Sequence, residues 1–596
     1  MKIRRFPVAT VLAGVTFVSS VPAVLATELE PIIVTATRTA QTVDESLSAV
    51  TVIEREEIER LQPAQFADLL RNRAGISVAD TGPFGKTTGV FLRGTNSDHT
   101  LLLVDGVRMG AATVGGASWQ FLSPSEIERI EIVRGPRASV YGADAIGGVI
   151  QVFTRKGAEG PPRFNAYSRI GSFNTREAGA GVQGGDAHTR YSLSATHQAT
   201  DGINVRDEVG DDDRDGFRNT SVASQLSHRF DNGLELFGNL LRSQGRTEFD
   251  GFEDETDFVH QALRAGVRGD LTETWHSELT IGQSRDEHDN FGQGQFSSRF
   301  DTRRDMADWR NDLMLGESLL WTVGLDWQQD RVESSVDFDE TRRYNRAVYQ
   351  VLQAELGRHD LQGSLRHDDN EAYGGNTTGQ VAWGFRLTEN LQSRASYGTA
   401  FKAPTFNELY WPGDGNPDLD PEKSETFEAG LRYVHQALYW DAALFQTDVR
   451  KLISGWPPVN IDEARIRGLE LETGWHLADW HGAAALTLLD AEDRDTGNEL
   501  ARRPRASLRL DLDRQIGDFS VGGTVLARGR SFDYDWMGNA ERLAGHALLN
   551  LRASWQLAPQ WSLRATLDNI TDKDYQTAAG FNQPGRAAYL SVHFQQ

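Results

Sequence analysis

From about residue 160 onward, apolar and polar residues alternate one by one, in segments that recur to the C-terminus. In Leu391–Thr399, Leu391, Ser393, Ala395 and Tyr397 take one face, and Gln392, Arg394 and Ser396 take the other. Leu508, Leu510 and Leu512 alternate with Arg509, Asp511 and Asp513. Leu469, Leu471 and Trp475 alternate with Glu470, Glu472 and Gly474, and Trp561, Leu563, Ala565 and Leu567 alternate with Ser562, Arg564, Thr566 and Asp568. A period of two predicts strands. One face suits hydrocarbon and the other suits water, which is the pattern of an outer-membrane barrel. A soluble β-sandwich also alternates, but its solvent face rarely requires so many Arg, Asp and Glu. The repeats also run on for over 430 residues without a second domain. In a bilayer no strand edge can stay unpaired, so such a sheet must close. At about 20 residues per strand and connection the length fits roughly 22 strands, and sixteen stays open on length alone.

The stretch before it is built differently. Short apolar runs at Val90–Leu92, Leu101–Val104 and Ile130–Val133 are stopped by Arg93-Gly94, Asp105-Gly106 and Arg134-Gly135-Pro136. A fourth run, Gly148–Thr154, ends in Arg155-Lys156-Gly157. Val50 to Arg73 reads as a strand and then helical spacing broken at Pro63, with Phe66, Leu69 and Leu70 on one face. Another strand opens at Gly75–Val78. Asp80–Gly89 and Met109–Gly116 read as loops, the first with an exposed-looking Phe84. The prediction is a compact α+β domain at 41–157, with Gly157–Pro162 as linker, followed by a barrel at 158–596.

Composition narrows the function. The chain has 596 residues, no cysteine and a formal net charge of −24. Disulfides and thiolate metal sites are therefore excluded. Duplex binding, which needs a basic surface, is not expected, so no nucleic-acid partner is predicted. Lys2, Arg4 and Arg5, the apolar run Val8–Val18 and the small-residue site Val24-Leu25-Ala26 predict a secretory signal peptide at 1–26. Beyond it no apolar run reaches the roughly 18 residues a transmembrane helix needs. No Ser/His/Asp arrangement or zinc-type cluster stands out among the 14 His, so no catalysis is expected.

The words LRG, DGVR, IERIEIVRGP, YG and AIGGVIQVFT between Val90 and Gly157 resemble, in order and spacing, the plug domain of TonB-dependent outer-membrane transporters. Tyr397–Thr405, Asn416–Ser424, Ala464–Glu470 and Asp568–Asp572 resemble that family's barrel signatures. The end departs a little. Relatives usually stop at an aromatic residue, and here Phe594 is followed by Gln595 and Gln596. The resemblance implies a membrane all-β fold: a 22-stranded antiparallel barrel with the α+β plug inside its lumen, a monomer in the Gram-negative outer membrane among lipid and lipopolysaccharide. It implies active import rather than passive flow, driven by TonB with ExbB and ExbD.

Within 27–40, Glu30, Pro31, Ile32, Ile33, Val34, Thr35 and Ala36 resemble the family's Ton box. An extended apolar segment near a free end can add a strand to a partner's sheet edge, with pairing beginning beyond Pro31. By position, Phe84, Gly85, Lys86, Thr87 and Thr88 and then Met109, Gly110, Ala111, Ala112, Thr113, Val114 and Gly115 are candidate substrate contacts on two plug apices. Small residues there permit close approach of a bulky ligand.

Asp211-Asp212-Asp213-Arg214-Asp215-Gly216 copies the first half of a calcium loop, but the Glu an EF-hand needs is replaced by Val222. A second acidic run, Phe249–Asp257, falls where the next outward loop is expected. The pair resembles the calcium-binding loops of the cobalamin receptors within the family, which places Asp211, Asp213, Asp215, Asp250 and Asp257 at ligand positions. Asn204 stands where an Asp, and Phe249 where a Tyr, is expected. The resemblance thus implies structural calcium and import of cobalamin or a related corrinoid. A ferric siderophore is the alternative substrate and a passive pore the alternative class.

Overall fold

The computed structural model describes residues 33–34, 38–39, 41–43, 45–207, 212–534 and 538–596. The expected signal peptide at 1–26, and Glu30, Pro31, Ile32, Thr35 and Ala36 of the expected Ton box, lie outside the described residues.

Twenty-two antiparallel strands form a closed barrel. The first, Gly160–Gly171, pairs with the last, Ala587–Gln595, and Ile170 sits opposite Leu590. The alternation in the sequence becomes two faces. Leu510 and Leu512 stand exposed on the outer wall, whereas Arg509, Asp511 and Asp513 are buried against the interior. Leu471 and Trp475 point out while Glu470 and Glu472 point in. Among the described residues no helix is long and apolar enough to cross a membrane. The barrel begins at Gly160, inside the stretch expected to be linker. Its prolines, Pro161 and Pro162, occupy a strand end where the register shifts between Gly160 and Arg163, and a missing N–H is tolerated there.

The lumen holds the N-terminal domain. A five-stranded sheet runs Val50–Glu54, Ile127–Arg134, Gly148–Thr154, Thr100–Val104 and Val107–Met109 in space. Ile76–Asp80 and Thr88–Leu92 form a separate pair. The Asp105-Gly106 turn joins Thr100–Val104 to Val107–Met109 with φ of 49° and 84°. Two positive φ values match the twist of a tight hairpin, which is why Asp-Gly suits it. Helices Arg55–Leu61 and Phe66–Leu70 flank the broken spacing at Pro63. Phe66, Leu69 and Leu70 join Ile130, Ile150, Val152 and Trp119 in one core.

Plug and wall meet through buried charge. Arg93 holds φ 54°, a conformation that costs a side-chain-bearing residue roughly 1 kcal/mol. It is fixed by Glu428 at 2.7 Å and by both Glu470 oxygens at 3.0 Å. Arg134 reaches Glu472 at 3.2 Å, and Arg394 ties Glu428 at 3.1 Å to Asp441 at 2.7 Å. A charge buried alone would cost several kcal/mol, so Arg93 and Arg134 are paired across the seam and Arg394 within the wall.

The Ser139 and Ser364 hydroxyls lie 2.7 Å apart, one on the plug helix Ala138–Tyr141 and one on the wall. In this cysteine-free chain, Ser139→Cys with Ser364→Cys is expected to form a single plug-to-barrel disulfide under mild oxidation. Mass spectrometry of the digested protein reads the cross-linked peptide. Its absence would place the helix away from that strand.

Candidate functional site

At the barrel end carrying the long loops, the two plug apices meet the loops in different ways. The first apex is sealed. Phe84 adopts φ 41° and is only 3% exposed, which corrects the exposed aspect expected for it. Its ring has joined a cluster with Phe121, Phe217 and Phe258, because an aromatic side chain buries more apolar area than a loop tip can leave in water. Gly85, at φ 79°, has the Phe217 ring where a Cβ would stand. Lys86 is buried and Thr88 is buried, leaving Thr87 as the exposed member of this stretch.

Lys86 joins the apex to the acidic loop. Its Nζ donates to the carbonyls of Phe84 at 3.2 Å, Asp215 at 2.9 Å and Gly216 at 3.2 Å. Burial lowers its ammonium to about 8 although Asp215, Glu248 and Asp250 pull the other way. Beside it, the carboxylates of Asp213, Asp215 and Asp250 come within 4.8 Å of one another. Asp215 accepts the Val205 N–H at 2.7 Å and Asp250 accepts the Arg206 N–H at 3.1 Å. Burial, with Asp250 adding to it, pushes the Asp215 carboxyl up to about 6. Such convergent carboxylates repel unless a cation or proton lies among them. An all-oxygen donor set of this kind suits a hard divalent cation such as calcium.

The other acidic residues sit apart. Asp257 is on a strand, beside the inward Phe258, and its carboxylate takes the Arg246 guanidinium through two bonds of 2.6 and 2.8 Å. Asp211 lies outside the described residues. The Asn204 amide reaches Asp212 at 3.5 Å, and its Oδ1 accepts the Arg206 N–H at 2.9 Å.

The second apex is roofed. A short helix, Phe406–Tyr410, starts with a capping box in which Thr405 and Glu408 exchange bonds of 3.2 and 2.7 Å. Its first N–H groups donate to the apex: Phe406 to the Ala112 carbonyl at 3.0 Å and Asn407 to the Thr113 carbonyl at 3.1 Å. The Thr302 hydroxyl takes the Ala112 N–H at 3.0 Å. Met109, Gly110, Ala112 and Thr113 are buried, Ala111 and Gly115 half-buried, and Val114 is 60% exposed. Trp411 stacks on Phe300 and meets Phe338 and Trp456 edge-on, giving an aromatic wall above Ala112. Under the helix, Lys402 pairs with plug Asp98 at 3.2 Å and with Glu408 at 3.0 Å. Plug His99 pairs with Glu422 at 2.7 Å. Burial opposes the His99 charge, but Glu422 outweighs it and raises the imidazole above its usual range. Neither the roof nor this charge hub was foreseen, although Thr405-x-x-Glu408 is a readable helix-start signal.

At the N-terminal end of the described chain, Ile33–Val34 pairs antiparallel with Gln41–Thr42. Between them Arg38 places its guanidinium on Asp308 and Asp326, the latter at 3.0 Å, and over the rings of Tyr141 and Tyr349. The Arg310 guanidinium donates to the Arg38 carbonyl. Arg38, near the end of the segment expected to carry the Ton box, is thereby fastened to the barrel wall.

Comparison with known proteins gives two family matches. The family described as TonB dependent receptor-like, beta-barrel matches residues 161–570, and the TonB-dependent Receptor Plug Domain matches residues 42–149. A curated relative, the "Vitamin B12 transporter BtuB" of Photobacterium profundum, is 31% identical over 98% of this chain and 99% of its own. A protein of the same name from Vibrio vulnificus is 29% identical over 92% of each. Among solved structures, the siderophore receptor PirA from Acinetobacter baumannii is similar with a TM-score of 0.81 at 18% identity, covering 93% of this chain and 99% of its own. A mutant of the ferric enterobactin receptor PfeA from Pseudomonas aeruginosa gives 0.80 at 20% identity, covering 92% and 98%.

Removing both carboxylates that hold Arg38, by Asp308→Asn with Asp326→Asn, is expected to loosen residues 33–43. Limited proteolysis with N-terminal sequencing should show cleavage there at least about tenfold faster, as loss of a buried charge partner costs several kcal/mol. The barrel should keep its unheated gel mobility.

Proposed function

The chain belongs to the TonB-dependent receptor family, outer-membrane proteins that couple import of a ligand to TonB, and on that premise we propose that its cargo is cobalamin or a related corrinoid. The observation that carries this reading is the identity of 31% held over nearly the whole length to a curated vitamin B12 transporter. The solved siderophore receptors, at 18–20% identity, speak for the fold alone. The chemistry of the loop end agrees. Lys402 and Arg343 there are each committed, Lys402 to Asp98 and Glu408 and Arg343 to Asp330 and the Pro404 carbonyl. An anionic chelate wants free cations. A large, nearly neutral, hydrogen-bonding cargo wants aromatic faces and backbone polar groups, which Tyr410, Trp411, Trp456 and the apex around Val114 provide.

Asp213, Asp215 and Asp250 would hold calcium, which when bound ties the 201–216 loop to the 249–254 loop. Lys86 then keeps that pair of loops seated on the first apex. Cargo settles on the second apex against the aromatic wall. Its binding shifts the plug toward releasing the segment around Ile33 and Val34, a coupling between two faces of one domain. TonB, with ExbB and ExbD, then takes that segment as an added strand.

Equilibrium binding tests the substrate. Cyanocobalamin is expected to bind at micromolar concentration or tighter in calcium, and a ferric catecholate to bind far more weakly. No cyanocobalamin binding under those conditions would overturn the assignment. Asp213→Ala with Asp215→Ala should weaken cyanocobalamin about tenfold, on the order of 1.4 kcal/mol, and abolish the response to added calcium while the barrel stays folded. Val34→Pro should stop uptake by whole cells and spare binding, since proline removes a ladder N–H.

A further inference from the structure

At the short-turn end of the barrel a cavity of about 100 Å³ lies between plug and wall, beside the seam where the first strand meets the last. The exposed Gln595 stands at its edge. Arg169, Arg564 and Ser591 line it from the wall. Arg169 donates to the plug carbonyl of Pro63 at 2.8 Å, and Arg564 pairs with plug Glu59 at 3.2 Å, so these side chains face the lumen and not lipid. Arg55 and Arg155 line it from the plug. There is room for a small ion with water around it, a single water needing roughly 15 Å³.

Charge in this cavity is out of balance. Four guanidinium groups and two carboxylates line it, in a chain whose net charge is −24. Both carboxylates are committed. Glu59 takes Arg55 at 2.8 Å and Arg564 at 3.2 Å. Glu177 accepts the Tyr167 hydroxyl and lies 4.0 Å from Arg169. The cations are less well served. Arg55 turns Nη1 to the carbonyls of Pro124 at 3.1 Å and Ile127 at 2.9 Å. Arg155 donates its Nε to the Ser125 carbonyl at 2.9 Å. Among the described residues nothing accepts from its two terminal nitrogens, and no carboxylate pairs with it. Burial, with the Arg55 charge adding to it, pushes this guanidinium down to about 10. Glu59, Glu126 and Glu128 pull the other way through space, but the Glu126 carboxylate is taken by the Ser194 and Thr196 hydroxyls. A guanidinium withdrawn from bulk water without a counter-charge is costly, and an anion entering this cavity would meet it.

We propose that this cavity is a binding site for a small tetrahedral oxyanion of the periplasm, inorganic phosphate or sulfate, held by the free fork of Arg155. The planar fork of arginine matches two oxygens of one such ion in paired, charge-assisted bonds. Arg55 and Arg155 belong to the plug, and Arg169 and Arg564 to the wall, so a bound oxyanion joins the two beside the closing strands. It holds the helix Arg55–Leu61 there, at the end of the lumen away from the cargo apices. The lining side chains face the lumen, so the ion comes free from solution and not as part of a lipid.

The test is equilibrium dialysis of the detergent-solubilised full chain against radiolabelled inorganic phosphate, at neutral pH and constant ionic strength. A single phosphate per chain is expected, half-saturating at or below about 1 mM. Sulfate should displace it at similar concentration, whereas chloride in about tenfold excess should not, because the fork bonds two oxygens of one ion. Short-chain phosphatidic acid, which carries the same group on a lipid, should not displace it either. Arg155→Gln should weaken binding about tenfold or more, since the charge-assisted bonds are lost. Arg155→Lys should weaken it about threefold, keeping the charge without the fork. Arg190→Gln removes an exposed arginine at the same end of the barrel and should bind like wild type. Folding is read from unheated gel mobility. If Arg155→Gln fails there, Ser591→Leu, which fills the cavity from the wall, is read in its place with the same loss expected. No phosphate bound at about 10 mM, displacement by chloride or by phosphatidic acid, unchanged binding in the folded Arg155→Gln or Ser591→Leu protein, or equal loss in Arg190→Gln would overturn the proposal.

Discussion

In hydrocarbon a backbone N–H or C=O without a partner costs several kcal/mol, and no water is present to relieve it. Everything else in this molecule follows from meeting that demand with strands. The ladder must run round until Gly160–Gly171 finds Ala587–Gln595. Closing twenty-two strands leaves a lumen too wide for side chains alone to fill, and that space is what the plug occupies.

How the plug occupies it matters for transport. An apolar seam would weld plug to wall, because burial is favourable at any register. The seam here is mixed: beside apolar patches such as Phe84 and Phe121 on Phe217 and Phe258, plug Arg93 and Arg134 meet wall Glu428, Glu470 and Glu472, which wall Arg394 and Arg432 brace together with Asp441. Buried ion pairs add modest net stability while fixing one arrangement sharply. A plug held that way is positioned closely, yet each pair can exchange its partner for water once the lumen opens. The loop end follows the same logic. Lys86 and Lys402 each tie an apex to the loops above it through several oxygens.

Much of the fold was readable because the two faces of a barrel strand live in different solvents. Arg509, Asp511 and Asp513 announce the lumen as plainly as Leu508, Leu510 and Leu512 announce lipid. The short plug strands were readable from their turn residues, with Asp105-Gly106 and Arg93-Gly94 both adopting positive φ. The strand number was not fixed by length, since loop and strand lengths trade off. The site was harder. Asp257 belongs to an acidic run, but one residue of strand parity separates it from the inward Phe258 and turns it to Arg246. Phe84 sits in a loop of small residues, yet it is drawn into a ring cluster that includes Phe217 and Phe258, more than a hundred positions away. The roof over Ala112 and Thr113 depends on a helix far along the chain, and local pattern carries no record of which loop folds over which apex.

The fastening at the N-terminus has a mechanical side. Ile33–Val34 lies antiparallel to Gln41–Thr42, so tension applied from the chain start loads that ladder as a zipper, one rung after another, rather than shearing all rungs together. The next resistance is the Arg38 charge cluster, then the Arg432 guanidinium on the carbonyls of Val43, Ser46 and Ser48, then Val50–Glu54 at one edge of the plug sheet. Force therefore meets a graded series of small yields instead of a single large one. A steady weak pull, sustained over distance, does more on this molecule than a brief strong jerk.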